Sequence, residues 1–192
     1  MHRPSHLGSR FAGRTIAALV LMILTIALVV VVATLPWWEY VSSSGTHLYH
    51  YLGAWCYAPG SCVDYTDRGA PFRDVFPQTY VLVLTALALS VFELAFLVLA
   101  IFGNGGRLGI LVTGILGSVA LLVAPIYLYL GLSGSPFSGS STLPNGVSSA
   151  WREGPGLFMA PFVAIFFLIA TIVAFFVARH IKPLGNVPVS QS

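Results

Sequence analysis

Four apolar runs, roughly Thr15 to Leu35, Gln78 to Phe102, Leu108 to Leu132 and Gly156 to Val177, divide this chain of 192 residues. Each is near the ~20 residues a helix needs to cross a hydrocarbon core of about 30 Å, and a helix satisfies its own backbone polar groups there. Glu93 is the one charged side chain inside any of them. The chain is 57% hydrophobic and 8% charged, where a soluble domain carries about 25% charged residues, so no soluble domain accompanies the runs. The expected fold is all-α and membrane-embedded: a single domain over 1–192, an antiparallel bundle of four transmembrane helices, with loops 36–77 and 133–155 on one side and tails 1–14 and 178–192 on the other. The first run, 21 uncharged residues long, exceeds the roughly 7 to 15 of a signal-peptide core and reads as a retained anchor.

Charge placement orients the bundle. Arg3, Arg10 and Arg14 precede the first run, Arg107 sits between the second and third, and Arg179 and Lys182 follow the fourth. The other side has Arg68, Arg73 and Arg152 among Glu39, Asp64, Asp67, Asp74 and Glu153. By the positive-inside rule both termini are expected in the cytoplasm, with a plasma-membrane location. The basic residues flank the runs and form no stripe, which argues against nucleic acid as a partner. All four Trp and all eight Tyr fall on the side assigned to the outside, the headgroup placement that amphipathic rings favour.

Between the runs, Tyr40 to Gly45 and Leu48 to Leu52 are rich in aromatic and β-branched residues, so a small hairpin around Gly45 and at least two short strands are expected. The turn Gly103 to Arg107 is short enough to force the second and third helices into a hairpin. The second outer loop contains a Ser/Gly-rich stretch around residues 133–141, the composition of a flexible linker. The tail from Ile181, with Pro183 and Pro188, is expected to be disordered. Pro125 and Pro161 are expected to bend the third and fourth helices.

Cys56 and Cys62, the only cysteines, both fall in the loop assigned to the outside, where thiols oxidise. A disulfide is the simplest reading, and Pro59-Gly60 supplies the turn that lets the sulfurs meet. Two other chemistries use such residues. Redox catalysis prefers a Cys-x-x-Cys pair, and here five residues intervene. A metal could draw on His47, His50, the cysteines, Asp64 and Asp67, although a strand sends His47 and His50 to opposite faces. No histidine lies inside a run, which excludes haem held between helices, and no cofactor is expected.

The segment Leu35-Pro36-Trp37-Trp38-Glu39-Tyr40-Val41-Ser42, followed by Leu52-Gly53-Ala54-Trp55-Cys56, Cys62 and a basic Arg73 before the second helix, resembles the claudin and peripheral-myelin-protein group and its fungal PalI-type relatives. Their first outer loop has a Trp, then Gly-Leu-Trp, then two cysteines. Here Ala54 replaces Leu, Trp55 and Cys56 are adjacent, and the cysteine spacing is shorter than usual. The resemblance implies a small sheet pinned by the disulfide, Trp37 or Trp38 and Trp55 packed where loop meets bundle, and no enzymatic activity.

Glu93 lies about nine residues, or roughly 13 Å, from the inner end of its helix. Ala86, Ser90, Glu93, Leu97 and Ala100 recur at three and four residues, a stripe of mostly small or polar side chains suited to close helix packing. At the same depth the other runs offer Thr25, Ser118 and Thr171, so the expectation is a polar layer in which a protonated Glu93 donates to one of these hydroxyls. Gly109, Thr113 and Gly117, with Gly114 on an overlapping face, allow close backbone approach, more readily inside the bundle than in a homodimer seam. The function that fits is a non-enzymatic, claudin-like structural, adhesion or membrane-organising role through the first outer loop. Its partners would be the lipid bilayer and either a second copy or unlike membrane proteins. An accessory subunit of a respiratory or oxygenase-type membrane complex is one alternative, and a small proton or ion conductor centred on Glu93 is another.

Overall fold

The structure, a computed structural model, describes residues 6–58, 60–65, 72–103, 105–133, 139–142 and 148–180. Arg3, Pro59, Asp67, Arg68, Asn104, the linker residues 134–138 and 143–147 and the tail from 181 on, Lys182 included, lie outside them.

Among the described residues, four helices are long and apolar enough to cross a membrane: α1 (His6–Thr34), α2 (Phe72–Ile101), α3 (Arg107–Leu132) and α4 (Pro155–His180). They close into a ring in which α1 packs on α2 and α4, and α3 packs on α2 and α4. Between α1 and α2 come β1 (Trp38–Ser42), β2 (His47–His50), β3 (Trp55–Tyr57) and β4 (Ser61–Val63), and between α3 and α4 come β5 (Gly139–Thr142) and β6 (Ser148–Glu153). These strands form one antiparallel sheet in the order β4-β3-β2-β1-β6-β5. The connections make the end of α1, the start of α2, the end of α3 and the start of α4 share the sheet end, so neighbouring helices alternate in direction.

The helices carry apolar side chains all round, with Phe162 69%, Leu130 67% and Ile16 60% exposed on the outer surface. An apolar belt of this extent on every helix cannot face water and fits a hydrocarbon surround. Inside, small residues set the spacing. A Cβ on Gly109 would meet the Phe96 ring of α2 at 2.6 Å, on Gly114 the Thr171 hydroxyl of α4 at 2.1 Å, and on Gly117 the Phe167 ring at 2.4 Å. The small face of α3 is therefore spent within the chain, on α2 and α4, while Thr113 donates to the Gly109 carbonyl at 2.7 Å.

The α2–α3 turn needs glycine. Gly103, Gly105 and Gly106 have φ of 84°, 86° and 89°, a region that costs other residues about 1–2 kcal/mol, and a Cβ on Gly106 would lie 2.5 Å from the Phe96 carbonyl oxygen.

Three expectations are corrected. The second loop, read as a flexible linker, supplies β5 and β6, and β6 pairs along the whole of β1, from Trp38 opposite Glu153 to Ser42 opposite Ser149. Its serines sit where backbone pairing, not side-chain hydrophobicity, holds the strand. Residues 6–14, read as part of a tail, extend α1 by more than two turns. Upstream of the second apolar run, α2 begins at Phe72 and passes through Pro77; near a helix start the missing N–H deprives only the Arg73 carbonyl of a partner.

Candidate functional site

The sheet, and the way it is fixed to the bundle, is the most elaborated part of the molecule. Antiparallel register places Trp38 of β1 opposite His50 of β2, and His50 opposite Trp55 of β3. Directly paired residues share a face, and all three are buried, so this row is the face turned to the protein interior. His50 is fully buried, with ring centroids of Phe72 at 4.8 Å, Trp151 at 5.5 Å, Phe76 at 5.7 Å, Tyr65 at 6.1 Å and Trp55 at 6.4 Å. Its Nδ1 lies 3.4 Å from the Tyr65 hydroxyl, and that hydroxyl donates to the Tyr51 carbonyl at 2.6 Å and the Ala54 carbonyl at 3.2 Å. Tyr65 thus closes the β2–β3 turn from beneath. Phe72 and Phe76, one turn apart on α2, bring the start of that helix into the same cluster, and Trp151 brings β6. Trp151 also packs on Tyr40, its register partner on β1, with centroids 4.8 Å apart.

Trp37 ties the sheet to α1 and α4. It is fully buried, its indole N–H donates to the Val32 carbonyl at 2.9 Å, and its ring fills the space where a Cβ on Gly156 would stand, 2.4 Å away. The Trp37 amide donates to the His50 carbonyl at 2.8 Å, the Gly154 amide to the Trp37 carbonyl at 3.0 Å, and the Gly156 amide to the Pro36 carbonyl at 2.9 Å. At position 154 this approach is open only to glycine, since a Cβ there would meet the Pro36 carbonyl oxygen at 2.5 Å.

Cys56 and Cys62 are directly opposed on β3 and β4 and joined in a disulfide, with Cα atoms 4.1 Å apart. Gly53 is exposed, with Tyr80 3.9 Å from where its Cβ would be. Arg73 pairs with Asp74 at 3.3 Å in the open, a contact worth about 0–1 kcal/mol. His47 is half-buried on the strand that holds His50, three residues away, and the alternation of the strand separates the two rings. Among the described residues no three His, Cys, Asp or Glu side chains gather as a metal site.

In the bundle, α2 buries Ala86, Ser90, Glu93, Leu97 and Ala100. Thr25, Ser118 and Thr171 are buried too, but each hydroxyl is turned to its own helix: Thr25 donates to the Leu21 carbonyl at 2.8 Å, Ser118 to Gly114 at 2.8 Å and Thr171 to Phe167 at 2.9 Å. Thr171 is the hydroxyl that lies against Glu93, yet neither carboxyl oxygen has a hydrogen bond of normal geometry. The structure thus brings Thr171 to Glu93, and the three hydroxyls, though each donates to its own helix, keep lone pairs that can accept. Serine and threonine in a helix find the carbonyl four residues back before they find a neighbour. Glu93 is 0% exposed and faces its own bundle.

Sequence reasoning missed the ring cluster around His50 and the bond from the Tyr127 hydroxyl to the side-chain Oε1 of Gln78 that joins α3 to α2. The signals were Phe72 and Phe76 at helical spacing and Trp151 on the outer side ahead of the fourth run. Four apolar helices, capped at one end by a disulfide-bonded sheet, are the architecture of a multi-pass membrane protein. No protein-family model matches the chain, and no curated protein matches it.

Proposed function

We propose that this is a non-enzymatic, claudin-like membrane-organising or adhesion protein of the plasma membrane. Its termini are cytoplasmic, and its sheet stands outside as a contact surface for a second copy or a neighbouring membrane protein. One observation carries the reading: both loops are joined in a single six-stranded sheet that is stapled by Cys56–Cys62 and bonded through Trp37 and Gly154 to the bundle. A surface so fixed loses little conformational freedom on docking, which is where preorganisation gains affinity. The W-W, Gly-x-Trp-Cys and Cys residues of the first loop favour the claudin likeness, as does the inward use of the α3 glycines. The burial of Glu93 within its own bundle tells against a role in which that carboxyl pairs with a partner helix.

The test is residue-specific photo-crosslinking in the cell membrane, with the probe at Ser44 in the β1–β2 turn or at Phe162 on the outer face of α4. Adducts from Ser44 that disappear in the C56S/C62S double variant are expected. Adducts confined to Phe162 and indifferent to the disulfide would contradict the proposal and favour the accessory-subunit reading.

A further inference from the structure

The end of the bundle opposite the sheet differs sharply in charge. Among the described residues, Arg14, Arg107 and Arg179 stand there with exposed side chains, while the sheet end mixes Glu39, Asp64, Asp74 and Glu153 with Arg73 and Arg152, and Glu93 is within α2. No described acidic residue neutralises the basic end. Between α1 and α4 at this end lies a cavity of about 160 Å³, lined by Arg14, Thr15, Phe176, Val177 and His180. Its chemistry is divided. Arg14 and His180 supply cationic or hydrogen-bonding groups, and Phe176 and Val177 supply an apolar wall. Ile172, one helical turn before Phe176 on α4, and Ile16, next to Thr15 on α1, are exposed apolar residues. The His180 ring is held in place, its Nδ1–H donating to the Phe176 carbonyl at 2.7 Å.

We propose that this cleft binds the headgroup phosphate of an anionic phospholipid, with Arg14 as the principal contact, His180 beside it, and Phe176 and Val177 against the upper methylenes of an acyl chain. The proposal rests on the membrane reading of the four helices. A guanidinium suits a phosphate oxygen pair, basic pockets between transmembrane helices take lipid headgroups, and the apolar wall gives a lipid a contact that a free anion cannot use. Arg14 makes no hydrogen bond or ion pair with another described residue, so its charge is available. Arg107, at the same end but on the α2–α3 side, is an internal control for charge alone.

The experiment is native mass spectrometry of the full chain in mild detergent, with phosphatidylglycerol and phosphatidylcholine of matched acyl chains added in competition. The wild type should retain phosphatidylglycerol about fivefold over phosphatidylcholine, the preference expected of one basic residue near a headgroup. Arg14→Gln should bring the ratio near unity, Arg14→Lys should restore part of it, and Arg107→Gln should leave it unchanged. Equal retention of the two lipids by the wild type would overturn the proposal. So would an equal loss in Arg107→Gln, which would mark diffuse charge, or full displacement by millimolar inorganic phosphate, which would mark a free-anion site. Retention of neither lipid would instead count against the membrane reading.

Discussion

His50 and Glu93 are both fully buried ionisable residues, but the chain encloses them in opposite ways. Around His50 the interior is built of five large rings from four separate elements or turns, placed by β-register, by the start of α2 or, for Tyr65, by the turn after β4. In the mid-bundle around Glu93 the helices approach over small residues, with Gly114 admitting Thr171 and Gly117 the Phe167 ring of α4, and the buried hydroxyls of Thr25, Ser118 and Thr171 donate to their own helices. The junction gains stability from what fills it, and the mid-bundle from what is left out. Truncation should therefore damage the first region, and enlargement the second.

The largest effect is expected for Trp37→Ala. It removes a fully buried indole and its bond to Val32, and should cost about 3–5 kcal/mol, measured as reversible unfolding in mixed micelles. A cost near that of an exposed residue would show that the sheet is not held through this ring. Gly114→Ala reverses the logic, since the added methyl group meets Thr171 at 2.1 Å; overpacking of this kind costs about 1–3 kcal/mol. The double variant G114A/T171A should recover part of the loss, because the Thr171 Oγ1 and Cγ2 are gone while its Cβ, 2.7 Å away, remains, and simple additivity would break the claim that these two positions touch. Removal of the disulfide by C56S/C62S should cost about 2 kcal/mol in the chain-entropy model and leave the helices intact by circular dichroism. Smallest of all should be Glu93→Gln, which keeps shape and a donor and should change stability by under about 1 kcal/mol. A collapse of expression or folding with this variant would mean that the carboxyl has a partner the bundle does not reveal.

What could be read from the sequence follows from the range of the forces involved. The four helices were legible because a hydrocarbon core demands an unbroken apolar run, and the inward stripe of α2 because 3.6-residue periodicity is local. The first-loop strands were half legible, through β-branched and aromatic residues close together. The second-loop strands were not, because β6 is a strand by virtue of β1, more than 100 residues away, as the bond from the Ser148 amide to the Ser43 hydroxyl shows. Its Ser-rich sequence carries the same composition as a linker. The His50 cluster was hidden for a related reason: Phe72 and Phe76 lie upstream of Pro77, where a helix start was not expected, and Trp151 lies in the loop dismissed as flexible. Thr25, Ser118 and Thr171 were found by depth and are indeed buried, but depth alone does not say where a hydroxyl points.

The central claim is that both long loops form one sheet on one face of the membrane, with the α2–α3 turn on the other. The described residues contain no free cysteine, and both cysteines of the chain are joined in the disulfide, so a single added thiol can be read without background. Ser44→Cys, Thr142→Cys and Arg107→Cys, each at an exposed position, should be treated in intact cells with a membrane-impermeant maleimide, before and after permeabilisation. The account predicts immediate labelling at positions 44 and 142, and labelling at position 107 only after permeabilisation. Labelling of 44 and 142 from opposite sides would contradict it.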